Sequence, residues 1–314
     1  MLNNIFFKFL KLMRRLYKKE HVGFKYRDNL IKNQKEVSDM ISDKIISGKP
    51  FMLSRLGLTE LMAIINYIDV LNNKKSYFKY ITHKQNKWWW DENVFTQMSE
   101  WSGFFPSNAN SLSAFSELYL KEMIHIDILA YFNPRLSDLK QYFNGSVINV
   151  YPNTIEPHKL INPWTKALKN KKVLVIHPFE SSIKKQYMKR KDLFDIEDFL
   201  PSFNLKTIRA VQSLGGKHPK FNSWFEALDY MKNQIDKHDF DICLIGCGAY
   251  GLPLAAHVKK SGKQAIHIGG SLQLIFGIKG KRWDNDNLYN DNWVRPQIQE
   301  KPENAENVED NCYW

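Results

Sequence analysis

Cysteine is scarce in this chain, with three among 314 residues: Cys243, Cys247 and Cys312. Three cysteines build no disulfide framework, and the C-x-x-x-C pair at 243 and 247 has no nearby histidine pair to complete a zinc site. Reduced thiols suit a cytoplasmic protein. Long apolar runs are absent as well. No stretch reaches 18 residues, so no membrane-spanning helix is expected. The N-terminal segment has no small-residue cleavage site, and Lys8 and Lys11 break its apolar residues, so no cleaved signal peptide is expected. Acidic residues are outnumbered 33 to 45, which leaves a net charge of +12. That balance favours anionic partners: a nucleotide, a nucleic acid or a membrane surface. No recognisable nucleic-acid-binding module accompanies the basic residues, so nucleic acid is not the expected partner.

What is present indicates a globular protein, with 43% apolar and 14% aromatic residues. The charge is unevenly spread. Residues 1–20 carry Lys8, Lys11, Arg14, Arg15, Lys18 and Lys19 against Glu20 alone, while the last 18 residues carry Glu300, Glu303, Glu306, Glu309 and Asp310 against Lys301. Phe6, Phe9, Leu10, Met13 and Tyr17 recur at helical spacing beside a stripe of Lys8, Lys11, Arg15 and Lys18. Such a helix either lies in the headgroup region of an anionic membrane surface or docks on its own domain or a partner. These features divide the chain into a basic amphipathic helix over 1–24, an α/β domain over 25–296 and a loosely ordered acidic tail over 297–314.

The domain alternates apolar strands with helices. Strands are expected at 51–54, 126–132, 146–150, 173–176, 205–211, 241–246 and 264–268, with a further short one at 79–82. Helices are expected at 28–47, 61–71, 88–101, 181–191, 221–235 and 252–260. Strands apolar on both sides and separated by helices predict a mostly parallel, Rossmann-like sheet covered on both faces.

The segment Asp241-Ile-Cys-Leu-Ile-Gly246-Cys-Gly248-Ala-Tyr250-Gly251 runs a strand into G-x-G-x-x-G and then a helix, the order a phosphate-cradling turn requires. The alternative is a turn whose glycines serve packing alone. A dinucleotide site calls for an acidic residue about 20 positions on. None occurs between Gly251 and Lys281, which argues against NAD. In open α/β sheets ligands sit beyond the carboxyl ends of strands. Four such ends carry unusual residues: Arg55, Gly57 and Glu60; His177 and Glu180; Gly246, Gly248 and Gly251; and Gly269, Gly270 and Ser271. Their convergence predicts one cleft. Arg55 suits bidentate phosphate binding, or an ion pair with Glu60. Glu60 suits a base, a metal ligand or a hydroxyl acceptor, and His177 a general base or a structural histidine. The segment 212–218 reads as a ligand-covering loop or a plain surface connection. Trp88, Trp89, Trp90 and Trp101 offer stacking surfaces for a sugar or base, or packing.

Two pieces resemble the bacterial glycosyltransferases of the GT-D fold. Ser54-Arg55-Leu56-Gly57-Leu58-Thr59-Glu60-Leu61 resembles that family's R-x-G-D-G-E motif. The stretch from Ile245-Gly246 to His267-Ile268-Gly269 resembles its glycine-containing strand–turn–helix–strand. Residues 172–179, 210–216, 246–253 and 269–283 further resemble uncharacterised proteins of bacterial surface-polysaccharide (capsule and O-antigen) gene clusters, over about 50–296. The resemblance implies a GT-D-like fold, a nucleotide-sugar donor, a glycan or lipid-linked glycan acceptor, and a cytoplasmic enzyme, peripheral on the inner face of the membrane if residues 1–20 bind it. Taken with the strand ends, it makes Glu60 the first candidate for general base and His177 the second, with substrate contacts by Arg55, Gly57, Gly246, Gly248, Tyr250, Gly251, Gly269, Gly270, Ser271 and Gln273; the alternatives are a non-catalytic nucleotide- or glycan-binding regulator, or a phosphate-handling hydrolase with His177 and Glu180 as its catalytic residues. The family's D-x-E binds a divalent cation, Mn or Mg. Here Leu58 replaces the Asp, and a lone carboxylate makes a poor hard-cation site, so no metal ligand is assigned.

Overall fold

Residues 2–17, 30–131, 133–213, 216, 218–302 and 312–314 are described in a computed structural model of the protein. Residues 18–24 of the N-terminal segment, Leu214, Gly215 and Lys217 of the 212–218 loop, and 303–311 of the tail lie outside the described residues. Strand β1 is Leu30–Ile31, β2 Phe51–Arg55, β3 Ile128–Ala130, β4 Ile148–Val150, β5 Lys172–His177, β6 Asn204–Arg209, β7 Ile242–Ile245 and β8 Gln264–His267. All are parallel in one sheet of order β1-β4-β3-β2-β8-β7-β5-β6.

The side-chain alternation along these strands builds two cores. Met52, Leu129, Leu174, Ile176, Cys243 and Ile245 face one side. Phe51, Leu53, Val173, Val175, Leu244 and Ile266 face the other. Continuous apolar runs are therefore required, since neither face of the interior strands meets water. Helix α1 is Leu2–Leu16, α2 Gln34–Ser47, α3 Leu58–Asn72, α4 Tyr77–Ile81, α5 Glu92–Glu100, α6 Ala109–Glu122, α7 Glu180–Met188, α8 Trp224–Ile235, α9 Gly251–Lys260 and α10 Leu272–Ile275. Helices α3, α5, α6, α8 and α9 cover the first face, and α2, α7 and α10 the second. The Rossmann-like α/β architecture expected from the sequence is the one observed.

Three local expectations change. Of residues 79–82, expected to be a strand, 79–81 belong to α4 and Thr82 caps its C-terminal end. Ser76 caps its Lys79 N–H, and Tyr80 is buried edge-on against Trp88 and Trp89. Tertiary packing of one aromatic ring here overrides a weak alternating pattern. The helix expected over 28–47 begins at Gln34, after the edge strand β1, where the Asn33 side chain accepts from Glu36 N–H. In the tail, Glu300 is buried and its carboxylate accepts from the backbone N–H groups of Ser181 (2.7 Å) and Ser182 (3.2 Å). An anion is favoured at the start of α7, so this part of the tail is tied down.

Helix α1 docks on the domain. Leu10 is buried, and Phe7 stacks on Trp89 at 4.4 Å. Lys11 Nζ meets Asp91 at 2.7 Å, and Arg14 Nη1 donates to the carbonyls of Tyr80 and Gln85. Trp88 and Trp89 thus pack against α1 and α4, and neither lines the cavity described next.

Candidate functional site

Register aligns the strand ends. Ser54 pairs with His267, His267 with Ile245, and Ile245 with Ile176 across β2, β8, β7 and β5. One residue further on stand Arg55, Ile268, Gly246 and His177, in a row along the carboxyl edge of the four central strands. A cavity of about 280 Å³ opens there. Arg55, Gly57, Glu60, His177, Gly246, Gly248, Tyr250, Gly269, Gly270 and Gln273 line it. Trp101 and Val211 line it as well, as do Gln212 and Ser213 of the 212–218 loop.

Glu60 sits in the first turn of α3 and is 8% exposed. Its Oε1 accepts from Ser102 Oγ at 2.8 Å. Its Oε2 folds back over Gly57, where a Cβ would lie 1.9 Å away, so the glycine is what lets the carboxylate reach the strand end. Glu60 is the one carboxylate among the described residues lining the cavity. Leu58, half exposed, occupies the neighbouring wall. No group of three or more His, Cys, Asp or Glu side chains among the described residues is placed to hold a metal ion. One carboxylate beside a leucine does not fit a hard-cation site, which takes six or more oxygens. Arg55 does not pair with Glu60 within 4 Å. Its Nη1 instead donates to Ile268 O at 3.3 Å, and its chain packs over Gly269, at φ +66, where a Cβ would come within 2.9 Å of Cδ.

The two cavity histidines are neutral and carry their protons on different nitrogens. His177 is 3% exposed, and burial lowers its pKa to about 3. Its Nδ1 accepts from Phe179 N–H at 3.0 Å, so the ring hydrogen sits on Nε2. His177 is thus a hydrogen-bond donor rather than a ready base. His267 is 5% exposed, with its pKa lowered to about 4 by burial, partly offset by a hydrogen bond to the Ile245 carbonyl and lowered further by Arg55. A carbonyl can only accept, so His267 Nδ1 donates to Ile245 O at 3.1 Å and Nε2 keeps its lone pair.

These rings explain the glycines of the G-x-G-x-x-G turn. A Cβ at Gly246 would approach His177 Cδ2 to 2.7 Å and Gly269 O to 2.8 Å, and one at Gly251 would fall 2.0 Å from His267 Cε1. Gly248, at φ +55, carries the left-handed turn. Gly251 does not line the cavity; it makes room for His267, which does. Tyr250 braces the turn, stacking on Trp224 at 5.0 Å, with its hydroxyl 3.0 Å from Ser213 Oγ.

Besides Gly251, two residues expected in the cleft lie elsewhere. Glu180 does not line the cavity. It accepts from Thr207 Oγ1 and Lys184 Nζ, both at 2.6 Å. Burial opposes its ionisation, but those bonds and the nearby Arg209 hold its carboxyl below the usual range. Ser271 donates to Ile268 O at 3.0 Å and lines a second cavity of about 250 Å³ that shares Arg55 with the first.

Other wall residues were not singled out from the sequence. Ser102, Tyr119, His267, Arg282, Tyr313 and Trp314 all contribute. Tyr119 OH donates to Ala249 O. The Tyr313 ring lies on Gly270, where a Cβ would be 2.1 Å from it, and Arg282 packs over that ring at 4.9 Å. Residues 312–314 are pinned by Arg282 N–H to Cys312 O (2.9 Å), Lys281 N–H to Trp314 O (3.2 Å) and Gln273 Nε2 to Tyr313 O (3.2 Å). Two of these wall residues, Gln273 and Trp314, hold a buried polar atom, Oε1 and Nε1, without a partner among the described residues. Only His267 had a local signal, its place at the end of an apolar strand.

No family model and no curated protein matches the chain. Two solved structures of domain of unknown function 1792 are similar to it at 13% identity, each covering 92% of this chain and 95% of its own. The TM-scores are 0.43 for a selenomethionine-substituted structure and 0.42 for one described as having a distinct glycosyltransferase fold.

Proposed function

We propose that the cavity binds a nucleotide-activated sugar and transfers its glycosyl group to an acceptor hydroxyl, in the assembly of a bacterial surface polysaccharide. The observation that carries this reading is the placement of one carboxylate, Glu60, with two guanidinium groups, Arg55 and Arg282, and a glycine-rich turn around one cavity. The residues around Glu60 are also those that resemble the GT-D motif.

Glu60 takes the proton of the acceptor hydroxyl as its oxygen attacks the anomeric carbon. The bond from that carbon to the phosphate oxygen breaks, and the nucleotide (a nucleoside diphosphate, or the monophosphate from a CMP-sugar) leaves with the electron pair. Negative charge grows on the leaving group, so catalysis requires fixed positive charge and N–H donors at that point. Arg55, Arg282 and the backbone N–H groups of Cys247 and Gly248 supply them. His177, with its hydrogen on Nε2, donates to the substrate and takes no proton. Because Leu58 and Glu60 do not fit a divalent cation, no step is routed through one. The acceptor is a glycan or a lipid-linked glycan.

A second reading, a non-catalytic nucleotide- or glycan-binding regulator, is favoured by one observation: Glu60 is already engaged by Ser102, and no second carboxylate joins it. A hydrolase built on His177 and Glu180 loses support, since the two residues face different surroundings. Calorimetric titration with UDP-, GDP-, CMP- and dTDP-sugars, with and without Mn²⁺, tests the proposal. Binding of at least one donor, accompanied by turnover, is expected. Binding without turnover selects a nucleotide-binding regulator, and no binding across the panel overturns the transferase.

A further inference from the structure

The face of α1 that docks on the domain is not its whole apolar surface. Leu10, Phe7, Lys11 and Arg14 face the protein. On the opposite side, Ile5, Phe9, Leu12 and Leu16 recur at i, i+4, i+7 and i+11, one stripe of a helix with about 3.6 residues per turn. They are 66, 54, 52 and 67% exposed. Helix α4, which meets α1 through Phe6 and Tyr77, adds Phe78 at 68%. Large apolar side chains are stabilised by burial, so five left in water on adjoining helices form a patch of the kind that marks an interaction site.

The charge around the patch identifies its partner. Helix α1 has no acidic residue. Lys8 and Arg15 are exposed on its flank, and Lys74, Lys75, Lys79 and Lys84 are exposed in and beside α4. Lys75 Nζ and Lys84 Nζ lie over the rings of Tyr77 and Phe78, at 5.4 and 5.7 Å, where their stems cover apolar surface and their ammonium groups reach outward. An apolar stripe rimmed by lysine and arginine is the pattern of a helix lying in a headgroup layer, with anionic lipid drawn to the rim.

We infer that α1 and α4 together form a platform that seats the protein on an anionic lipid bilayer, with Ile5, Phe9, Leu12, Leu16 and Phe78 entering the headgroup–acyl boundary. Docking on the domain and docking on lipid thus use opposite sides of one helix. No helix among the described residues is long and apolar enough to cross the membrane, so the contact is peripheral. This inference stands whether or not the cavity binds a sugar nucleotide.

Co-sedimentation of the full chain with vesicles tests it. Phosphatidylcholine vesicles containing a quarter phosphatidylglycerol should pellet the protein, vesicles of phosphatidylcholine alone roughly tenfold less, and added salt should release it. Phe9→Glu combined with Leu12→Glu should weaken binding by roughly tenfold or more with an unchanged far-UV spectrum. Lys8→Glu combined with Arg15→Glu, which leaves apolar packing alone, should also weaken binding to the anionic vesicles. Wild-type protein left in the supernatant with anionic vesicles overturns the inference, as does equal pelleting of wild type and both variants. A wild-type dimer in solution that the Phe9/Leu12 variant dissociates overturns it too, because a second copy would then cover the stripe.

Discussion

At the scale of residues, the glycines and histidines of the cavity are one arrangement. Gly251 leaves no space for a side chain against His267. Gly251→Ala should cost about 1–3 kcal/mol through overpacking. His267→Ala in the same chain should return part of that loss, because residues in contact do not act additively. Chemical denaturation of the two single variants and the double variant measures it, and strictly additive losses would contradict the packing. The buried histidines also set a pH dependence. His177, His267 and His158 have pKa values lowered to about 3, about 4 and about 4, in each case chiefly by burial. The unfolded chain takes up these protons near pH 6.5, before the folded protein does. Their contribution to stability is therefore whole above pH 6.5 and is lost as pH falls toward 4, by about 1.4 kcal/mol per pH unit for each histidine. His158 lies outside the cavity lining, so His158→Gln isolates one share. Its denaturation midpoint should fall less steeply than that of the wild type between pH 6.5 and 4.5, and parallel curves would contradict a neutral buried imidazole.

At the scale of elements, interior strands were legible in the sequence because a parallel strand covered on both faces must be apolar at every position. Residues 173–176 of β5 and Ile242–Ile245 show this directly. Short elements whose formation depends on a distant partner were not legible. Helix α4 exists because Tyr80 packs into tryptophans 8 and 9 residues on, and β1 because it pairs with Asn149 and Val150. Charge composition also misled: the acidic residues after 297 read as a solvated tail, yet Glu300 crosses to the start of α7. Its carboxylate satisfies two backbone N–H groups and the Ser182 hydroxyl. Glu300→Ala should cost about 1–3 kcal/mol by leaving those donors buried and unpaired. Glu300→Gln, which keeps an acceptor oxygen, should cost less. Denaturant midpoints give the order, and two silent substitutions would contradict the cap.

At the scale of the whole molecule, the sheet order explains which parts of the cavity the sequence revealed. Arg55, His177, Gly246 and Gly269 stand at or just past the ends of β2, β5, β7 and β8, so placing the strands placed them. Ser102, Tyr119 and Tyr313 arrive from other segments that carry no local signature, and Arg282, though inside the resembling stretch 269–283, reaches the wall only in the folded chain. Glu180 was misplaced for a related reason. Three residues past His177, its side chain turns toward Thr207 on the edge strand β6, and spacing along the chain does not encode that direction.

In the proposed transfer Glu60 takes the acceptor's proton, and nucleotide release from a bound donor in the presence of a glycan acceptor tests this most directly. Wild-type protein should release it, and Glu60→Gln should bind the donor equally well while turning over about 10²–10⁴-fold more slowly. Turnover by Glu60→Gln within a few-fold of wild type would contradict the account, as would a wild-type protein that binds the donor and releases nothing.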